Sequence, residues 1–337
     1  MNTTKRTTMA DVAREAGVSL QTVSRAINNK GVINEETKKA ILEIADRMGF
    51  RPSGIARSLA TKRTTTIGLI VTDITNPFFS EIARGVEDVA YSLSYNVFLC
   101  NTGEDVAREQ TALNSLFEKQ VDGLILCSSR LEEADLVKRI KEFGHVILIN
   151  RRLEEPADGI ATITIDDAWG AEIAVTHFIS RGHKKIVLLA GPQRSWSGKN
   201  RLLGFQSGLR KNGLEPDPEL ILYCEPDIQC GFQTTSQLLR KRSDVTAILA
   251  YNDLVAVGAL QACQNLKRPV PDKIAIIGCD DIPLASLVTP PLSTIRVSKQ
   301  DIGAAAMRTL ITIMEGKDPT SSQIVYRPEL ILRSSAL

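Results

Sequence analysis

The sequence predicts an α/β chain in two parts: a three-helix head containing a helix–turn–helix, and a two-lobed core of doubly wound parallel sheets. Three observations carry this. Met9, Val12, Ala13 and Ala16 recur at helical spacing, Gly17 interrupts them, and Ser19 opens a second helix. From Thr66 onward, apolar runs of about four to six residues alternate with helical patterns, and the alternation occurs twice, roughly over 66–165 and 166–290. Charge is divided as well: residues 1–66 hold 12 Lys and Arg against 6 Asp and Glu, while the whole chain of 337 residues nets only +2. A basic head on a slightly acidic body points to a polyanion partner for the head alone.

Residues 1–7 are polar and read as disordered when free. In Thr8 to Asn28, TMADVAREAGVSLQTVSRAIN, the first helix has one apolar face and stops at Gly17, where a position just past a helix needs a left-handed backbone. Ser19 caps the second helix by accepting an orphan N–H. Val23 and Ile27 bury that helix, and Leu20, Gln21, Thr22, Ser24 and Arg25 take the opposite face. Short hydroxyls, one amide and one guanidinium suit the reading of base edges in a major groove. An ordinary helical hairpin shares the generic pattern. Asn34 caps a third helix, Glu35 to Met48, with Ile41, Leu42, Ile44, Ala45 and Met48 on one side, and Gly49 ends it. In RPSGIARSLA, Ser53 can cap a short helix, but about seven residues are marginal in water alone. A plain linker fits the same residues, and Thr61 to Thr65 continue it.

The spacing DVAREAGVS…TVSRAIN is more specific than a generic helix–turn–helix. It resembles the DNA-binding head of the lactose-repressor/galactose-repressor (LacI/GalR) family of bacterial transcription regulators, and the resemblance runs over residues 8–337. It implies a DNA-facing set of Thr8, Ser19, Leu20, Gln21, Thr22, Ser24, Arg25 and Asn28. It also implies that 51–65 holds a hinge helix that orders on operator DNA beside its dimer mate. Leu59 matches the wedge such helices insert into the minor groove, with Ala56 one turn earlier. The expected layout is a head at 1–50, hinge and linker at 51–65, and a periplasmic-binding-protein-like core at 66–337. Lobe 1 takes about 66–165 plus 297–320, and lobe 2 about 166–296 plus 321–337, so the chain crosses between them more than once.

In the core, IGLIV, NVFLC, GLILC and VILIN, then TITI, IVLLA, LILY, AILA and IAIIG, read as strands buried on both faces. Two such lobes imply a cleft at the carboxyl ends of the strands. No GxG occurs, which removes the dinucleotide fingerprint. GPQRSWSGKN ends in Gly-Lys, but six residues separate its glycines and Asn200 stands where a P-loop needs Ser or Thr. GxSxG and HExxH are missing too. Cys100, Cys127, Cys224, Cys230, Cys263 and Cys279 form no CxxC, and His145, His177 and His183 have no metal spacing. The expectation is therefore no enzyme, no cofactor and no metal. The chain lacks an apolar run near the roughly 20 residues of a membrane span, and MNTTKRTTMADV lacks a signal-peptide core, so a cytoplasmic location is expected.

Candidate ligand residues are those that follow each apolar run: Asp73 to Phe79, Asn101, Ser128, Ser129, Asn150, Arg151, Asp166, Arg194 to Arg201, Asn252, Asp253 and Asp280. Polar groups at strand ends suit a hydroxyl-rich ligand, and Phe78, Phe79 and Trp196 are placed to stack on sugar faces. Taken singly, an Asp, Asn or Ser after a strand caps the next helix. The resemblance assigns effector contacts to Arg201 in RLLGF, Asn252 in YND, Asp280 in GCDD, Asp166 in TIDD and the pair Asn150-Arg151. Two departures stand out: Arg151-Arg152 where an acidic residue often sits, and Pro226 where an aromatic is common. With Arg194 and Lys199, these cations favour a sugar acid or sugar phosphate over a neutral sugar. The expected function is a sequence-specific transcription regulator, a repressor, on palindromic operator DNA. The expected state is a homodimer, with a tetramer possible but disfavoured because SSAL ends the chain directly after a strand. A sugar-binding transport protein would explain the cleft but not the basic head.

Overall fold

The computed structural model describes residues 7–28, 31–51, 63–155, 157–317 and 323–337. It forms two units, Met1–Thr64 and Thr65–Leu337. Ala56 and Leu59, and with them most of the expected hinge, lie outside the described residues.

The first unit holds α1 (Met9–Glu15), α2 (Leu20–Asn28) and α3 (Glu35–Arg47). Thr8 and Asp11 form a reciprocal capping box at the start of α1. Gly17 adopts a φ of +63°, which lets Val18 N–H reach back to Ala13 O at 3.1 Å and closes the helix. Val12, Ala13, Val23, Ala26, Ile41, Ala45 and Phe50 form the core of the head. Two expectations change here. Ala26, not Ile27, is the second fully buried side chain of α2. Leu42 is 43% exposed, because it falls about 100° around the helix from the Ile41–Ala45 stripe. Phe50 joins the core because the turn at Gly49 carries its N–H to Ala45 O at 2.8 Å.

In the second unit, β1 (Thr66–Val71), α4 (Pro77–Ser92), β2 (Asn96–Asn101), α5 (Val106–Glu118), β3 (Gly123–Cys127), α6 (Glu133–Ile140), β4 (Val146–Ile149) and β5 (Ile160–Ile165) build lobe 1. Lobe 2 follows with α7 (Asp167–Ser180), β6 (Ile186–Ala190), α8 (Trp196–Lys211), β7 (Ile221–Tyr223), α9 (Ile228–Lys241), β8 (Ala247–Ala250), α10 (Asp253–Asn265), β9 (Ala275–Cys279), α11 (Pro283–Leu287) and β10 (Ser293–Arg296). The chain then supplies α12 (Lys299–Met314), β11 (Gln323–Tyr326) and β12 (Glu329–Ile331). Strand order is β11-β5-β4-β3-β1-β2 in one sheet and β12-β10-β9-β8-β6-β7 in the other. The two orders are equivalent, and both reverse direction at the first strand of the lobe, where α/β sheets open a crevice.

Ile302, Met307 and Leu310 of α12 pack into the lobe 1 core. β11 pairs in parallel with β5, so Gln323–Tyr326 belongs to lobe 1 and not to lobe 2 as the expected boundary at 320/321 had it. Only β12 returns to lobe 2, antiparallel to β10. The lobes are thus joined by three crossings, after β5, after β10 and after β11. NVFLC is also less buried than expected: β2 is an edge strand with Phe98 and Leu99 exposed. Among the described residues, no helix is long and apolar enough to cross a membrane.

Candidate functional site

On the head, Gln21 and Arg25 are exposed, and neither makes a side-chain hydrogen bond within the described residues. Leu20 beside them is 53% exposed. The other predicted DNA-facing residues are tied into the local structure. Ser19 Oγ accepts the Thr22 N–H at 3.1 Å and shares a 2.8 Å hydrogen bond with the Thr22 hydroxyl. Asn28 Nδ2 donates to Ser24 O at 2.9 Å, and Thr8 caps α1. The α2 face therefore divides into a framing set and a projecting set, with Gln21 and Arg25 in the second.

In the core, the strand ends converge on one cleft. Lobe 1 contributes Asp73, Phe78, Phe79, Glu104, Ser128 and Asn150, and lobe 2 contributes Ser197, Arg201, Pro226, Tyr251, Asn252 and Asp280. Arg201 is the hub. Its Nε donates to Asp167 Oδ1 at 2.9 Å, its Nη1 donates to Tyr251 O, and its Nη2 lies 3.4 Å from Asp280 Oδ1. The guanidinium also sits over the Tyr251 ring, 5.0 Å from its centroid. Burial pulls its pKa down, but Asp167 and Asp280 hold it well above the ordinary arginine value. Burial likewise pushes Asp280 up to about 6, against the pull of Arg201 and Lys299, and raises Asp167. Tyr251 Oη is 2.9 Å from Ser195 Oγ, and Gly191 leaves room for its ring, since a Cβ there would collide with it.

Lobe 1 has its own buried ion pair at the cleft wall. Arg130, 4% exposed, donates two hydrogen bonds to the Glu104 carboxylate and one, at 2.9 Å, to Ser128 O. Glu109 lies behind it, accepting from the Ser129 hydroxyl and the Arg130 N–H, and its pKa is raised by burial. The cavity within the cleft is about 20 Å³, room for about one water. A larger ligand can enter only if the lobes part or side chains swing out.

Several expected residues lie elsewhere. Asp166 caps α7 through the Trp169 N–H at 3.0 Å, and the neighbouring Asp167 is the residue that grips Arg201. Arg151 is buried away from the cleft: its Nη2 donates to Leu131 O at 3.2 Å, and its guanidinium lies 5.9 Å from the Trp196 ring. Trp196 takes up that contact because the first turn of α8 points Ser197 into the cleft instead. Arg194 is a surface side chain 3.9 Å from Glu132, and Lys199 is exposed. The cations behind the expected anionic effector therefore do not face it, while Asp73, Glu104 and Asp280 do. Asp167, Glu104, Arg130 and Tyr251 were missed. Their only sequence signal is the one the others share, a polar residue just past a strand.

Residues 8–53 match bacterial regulatory proteins of the lacI family, and residues 175–336 match a periplasmic binding protein-like domain. The chain is 34% identical over 336 residues to the HTH-type transcriptional regulator RegA of Clostridium saccharobutylicum, covering 98% of this chain and 99% of that one. The chain belongs to the LacI family. It is a DNA-binding transcriptional regulator with a two-lobed effector-binding core. Among solved LacI-family structures, it superposes with a TM-score of 0.89 on the lac repressor dimer bound to operator and the anti-inducer ONPF, at 27% identity and 99% and 100% coverage. The complex of the transcriptional regulator CelR with cellobiose gives a TM-score of 0.74, also at 27% identity, covering 98% and 100%. The basic head that a transport protein would leave unexplained is thus the family's regulatory domain.

Proposed function

We propose that this LacI-family regulator represses from a palindromic operator as a homodimer, and that a neutral polyol of monosaccharide size, bound between the lobes, sets its operator affinity. The observation that carries the reading is the cleft lined from both lobes around Arg201 and Asp280. Asp280, Asn150 and Asn252 can pair with hydroxyls, Arg201 can donate to them, and Phe78 and Phe79 supply apolar faces. The Arg201 guanidinium in the cleft and the Arg130 guanidinium paired with Glu104 are already matched by carboxylates, which disfavours an anion. A ligand touching both lobes alters their relative orientation by its differential affinity for the two arrangements, and operator affinity follows by linkage. Exposed Tyr91, Phe98, Leu99 and Phe117 around the β2 edge support a dimer contact on lobe 1.

A gel shift on a palindromic duplex, run with and without sugars and paired with a thermal-shift panel, tests this. Neutral monosaccharides should raise the Tm and change the shift, and sugar phosphates and sugar acids should not. Hits confined to anions, purines or amino acids would overturn the ligand class and leave the regulator standing. Retention of a non-palindromic duplex at equal affinity would overturn the dimeric operator.

A further inference from the structure

Two thiols at the cleft mouth take no part in that scheme. Cys224 directly follows β7, and Cys230 lies in the first turn of α9. Both line a second cavity, of about 800 Å³, that opens between Glu104 and Arg130 of lobe 1 and Arg194 and Tyr223 of lobe 2. Of the six cysteines, only Cys100 and Cys230 are partly exposed. Cys224 is 7% exposed, and the neighbouring Cys230 is one of the groups that raise its pKa.

The surroundings of the two exposed candidates differ. Cys230 Sγ accepts the Glu225 N–H at 3.2 Å, and the Cys230 N–H is fixed by Asp227, the cap of α9, at 2.7 Å. These contacts hold the Cys230 side chain at the wall of the cavity, where it is the more accessible of the two thiols. Cys100 instead packs against the apolar cluster of Leu113 and Leu116, where burial raises its pKa. The Glu225 N–H that reaches Cys230 belongs to the peptide leaving Cys224, which places the Cys230 sulfur beside the Cys224 backbone.

We propose that Cys230 and Cys224 form an oxidisable dithiol at the mouth of the effector cleft, Cys230 reacting first and Cys224 resolving, with a low-molecular-weight disulfide as the oxidant. The Cys230 thiolate attacks one sulfur of the small disulfide, forms a mixed disulfide and expels one small thiolate. Cys224 then gives its proton to water and attacks the Cys230 sulfur, which expels the second small thiolate and closes the protein disulfide. Two protein thiols are oxidised and one small disulfide is reduced to two thiols. Burial, the neighbouring Cys230 and the carboxylates of Asp227 and Glu225 all push the Cys224 thiol up, which makes it the slower partner. Capping Cys230 removes one of those causes. The bond would clamp the loop 224–230. That loop carries Pro226 into the effector cleft, where Pro226 O accepts from Asn252 Nδ2 at 3.1 Å. Oxidation at the mouth would thereby alter one wall of the cleft.

The test uses the full-length reduced protein with oxidised glutathione, followed by alkylation and peptide mapping. The expected course is a glutathione adduct on Cys230, then a peptide joined through Cys224 and Cys230 with both adduct and thiols gone. C224S should stop at the adduct, and C230S should leave Cys224 reduced. Capture at Cys100 before Cys230, or a C224S protein that loses its adduct as fast as wild type, would overturn the assignment. Should either variant fail to fold, timed iodoacetamide labelling of the native wild type decides it. Cys230 should react roughly tenfold or more faster than Cys224 and Cys100, and equal rates would sink the proposal.

Discussion

Replacing Arg201 with Ala removes the guanidinium that Asp167 and Asp280 share. All three side chains are less than a tenth exposed, and the two contacts measure 2.9 and 3.4 Å. Breaking a buried pair by deleting one partner costs about 3–5 kcal/mol, because the charge left behind is uncompensated in a low dielectric. At roughly 2–4 °C per kcal/mol for a unit of this size, the core should melt roughly 6–20 °C lower. Trp169 and Trp196, the two tryptophans of the chain, both lie in the core, so their fluorescence follows core unfolding alone. The deficit should also depend on pH. Burial already lifts Asp280 to about 6 and raises Asp167 above its ordinary value, and losing the cation lifts both further. A carboxyl whose folded pKa exceeds its unfolded one binds more protons when folded, so its contribution is full at low pH and is lost as pH rises through the folded value. The variant should therefore be closest to wild type near pH 5 and furthest from it near pH 8. Below its melting temperature it should still bind operator, since Arg201 lies in the core, while its effector response disappears. A deficit under about 1 kcal/mol, or one equal at both pH values, would refute the pairing argument.

Four further outcomes are expected, three from the structure and one, at Leu59, from the resemblance to the family. Arg25→Ala should cost about 1–3 kcal/mol on operator DNA and little on random duplex, and equal losses in a salt-matched gel shift would mean that Arg25 touches only phosphate. Thr8→Ala removes the hydroxyl that accepts the Asp11 N–H in the α1 capping box, leaves the backbone N–H of residue 8 to donate to the Asp11 carboxylate, and should lower head stability by about 1 kcal/mol in a melt of the full chain followed by circular dichroism. Leu59→Ala should weaken operator binding and leave calorimetric effector affinity unchanged, because the expected wedge acts on the DNA minor groove. Lys299→Met deletes the bonds from Nζ to Asp280 O (2.6 Å) and Asp281 O (3.0 Å) and the pairing with Glu81. With buried acceptors left unmade, it should lower the core transition by about 1–3 kcal/mol in urea.

Much of the fold was legible because it rests on periodicity. Helix caps at Ser19 and Asn34 and the glycine stop at Gly17 are local signals, and the alternation of short apolar runs with helices names the architecture directly. What stayed hidden depends on tertiary partners. TIDD offers two adjacent aspartates, and only the turn into α7 decides that Asp166 caps the helix while Asp167 faces Arg201. Counting Arg151, Arg194 and Lys199 near one cleft suggested an anion, but a count of cations says nothing about which are already bound to a carbonyl, a ring or a surface carboxylate. NVFLC reads like any buried strand, because an apolar edge and an apolar interior have the same composition, and only the strand order separates them. Arg201 and Asp280 were found through resemblance to the family, since each alone is just a polar residue in a helix or past a strand.

The cleft residues also share a backbone feature that bears on switching. Ser128, Asn150 and Asp280 follow β3, β4 and β9 directly, and all three have positive φ, at +56°, +51° and +105°. Non-glycine residues in such conformations cost about 1–3 kcal/mol each and persist only where neighbours over-determine them. Here the neighbours are identifiable: Arg130 donates to Ser128 O, Asn150 Oδ1 accepts the Ile165 N–H at the first crossing, and Lys299 donates to Asp280 O from the start of α12, just past the second. Two of the three restraints thus lie at the connections between lobes. An effector that hydrogen-bonds Asn150 or Asp280 competes with, or reinforces, bonds that also fix the lobe crossings. It does not have to pull the lobes together by itself, because altering the balance at two strained, pinned turns is enough to favour one lobe arrangement. A coupling of about 1–3 kcal/mol, equivalent to roughly 5–150-fold in operator affinity, is of the same size as the strain held at one such turn.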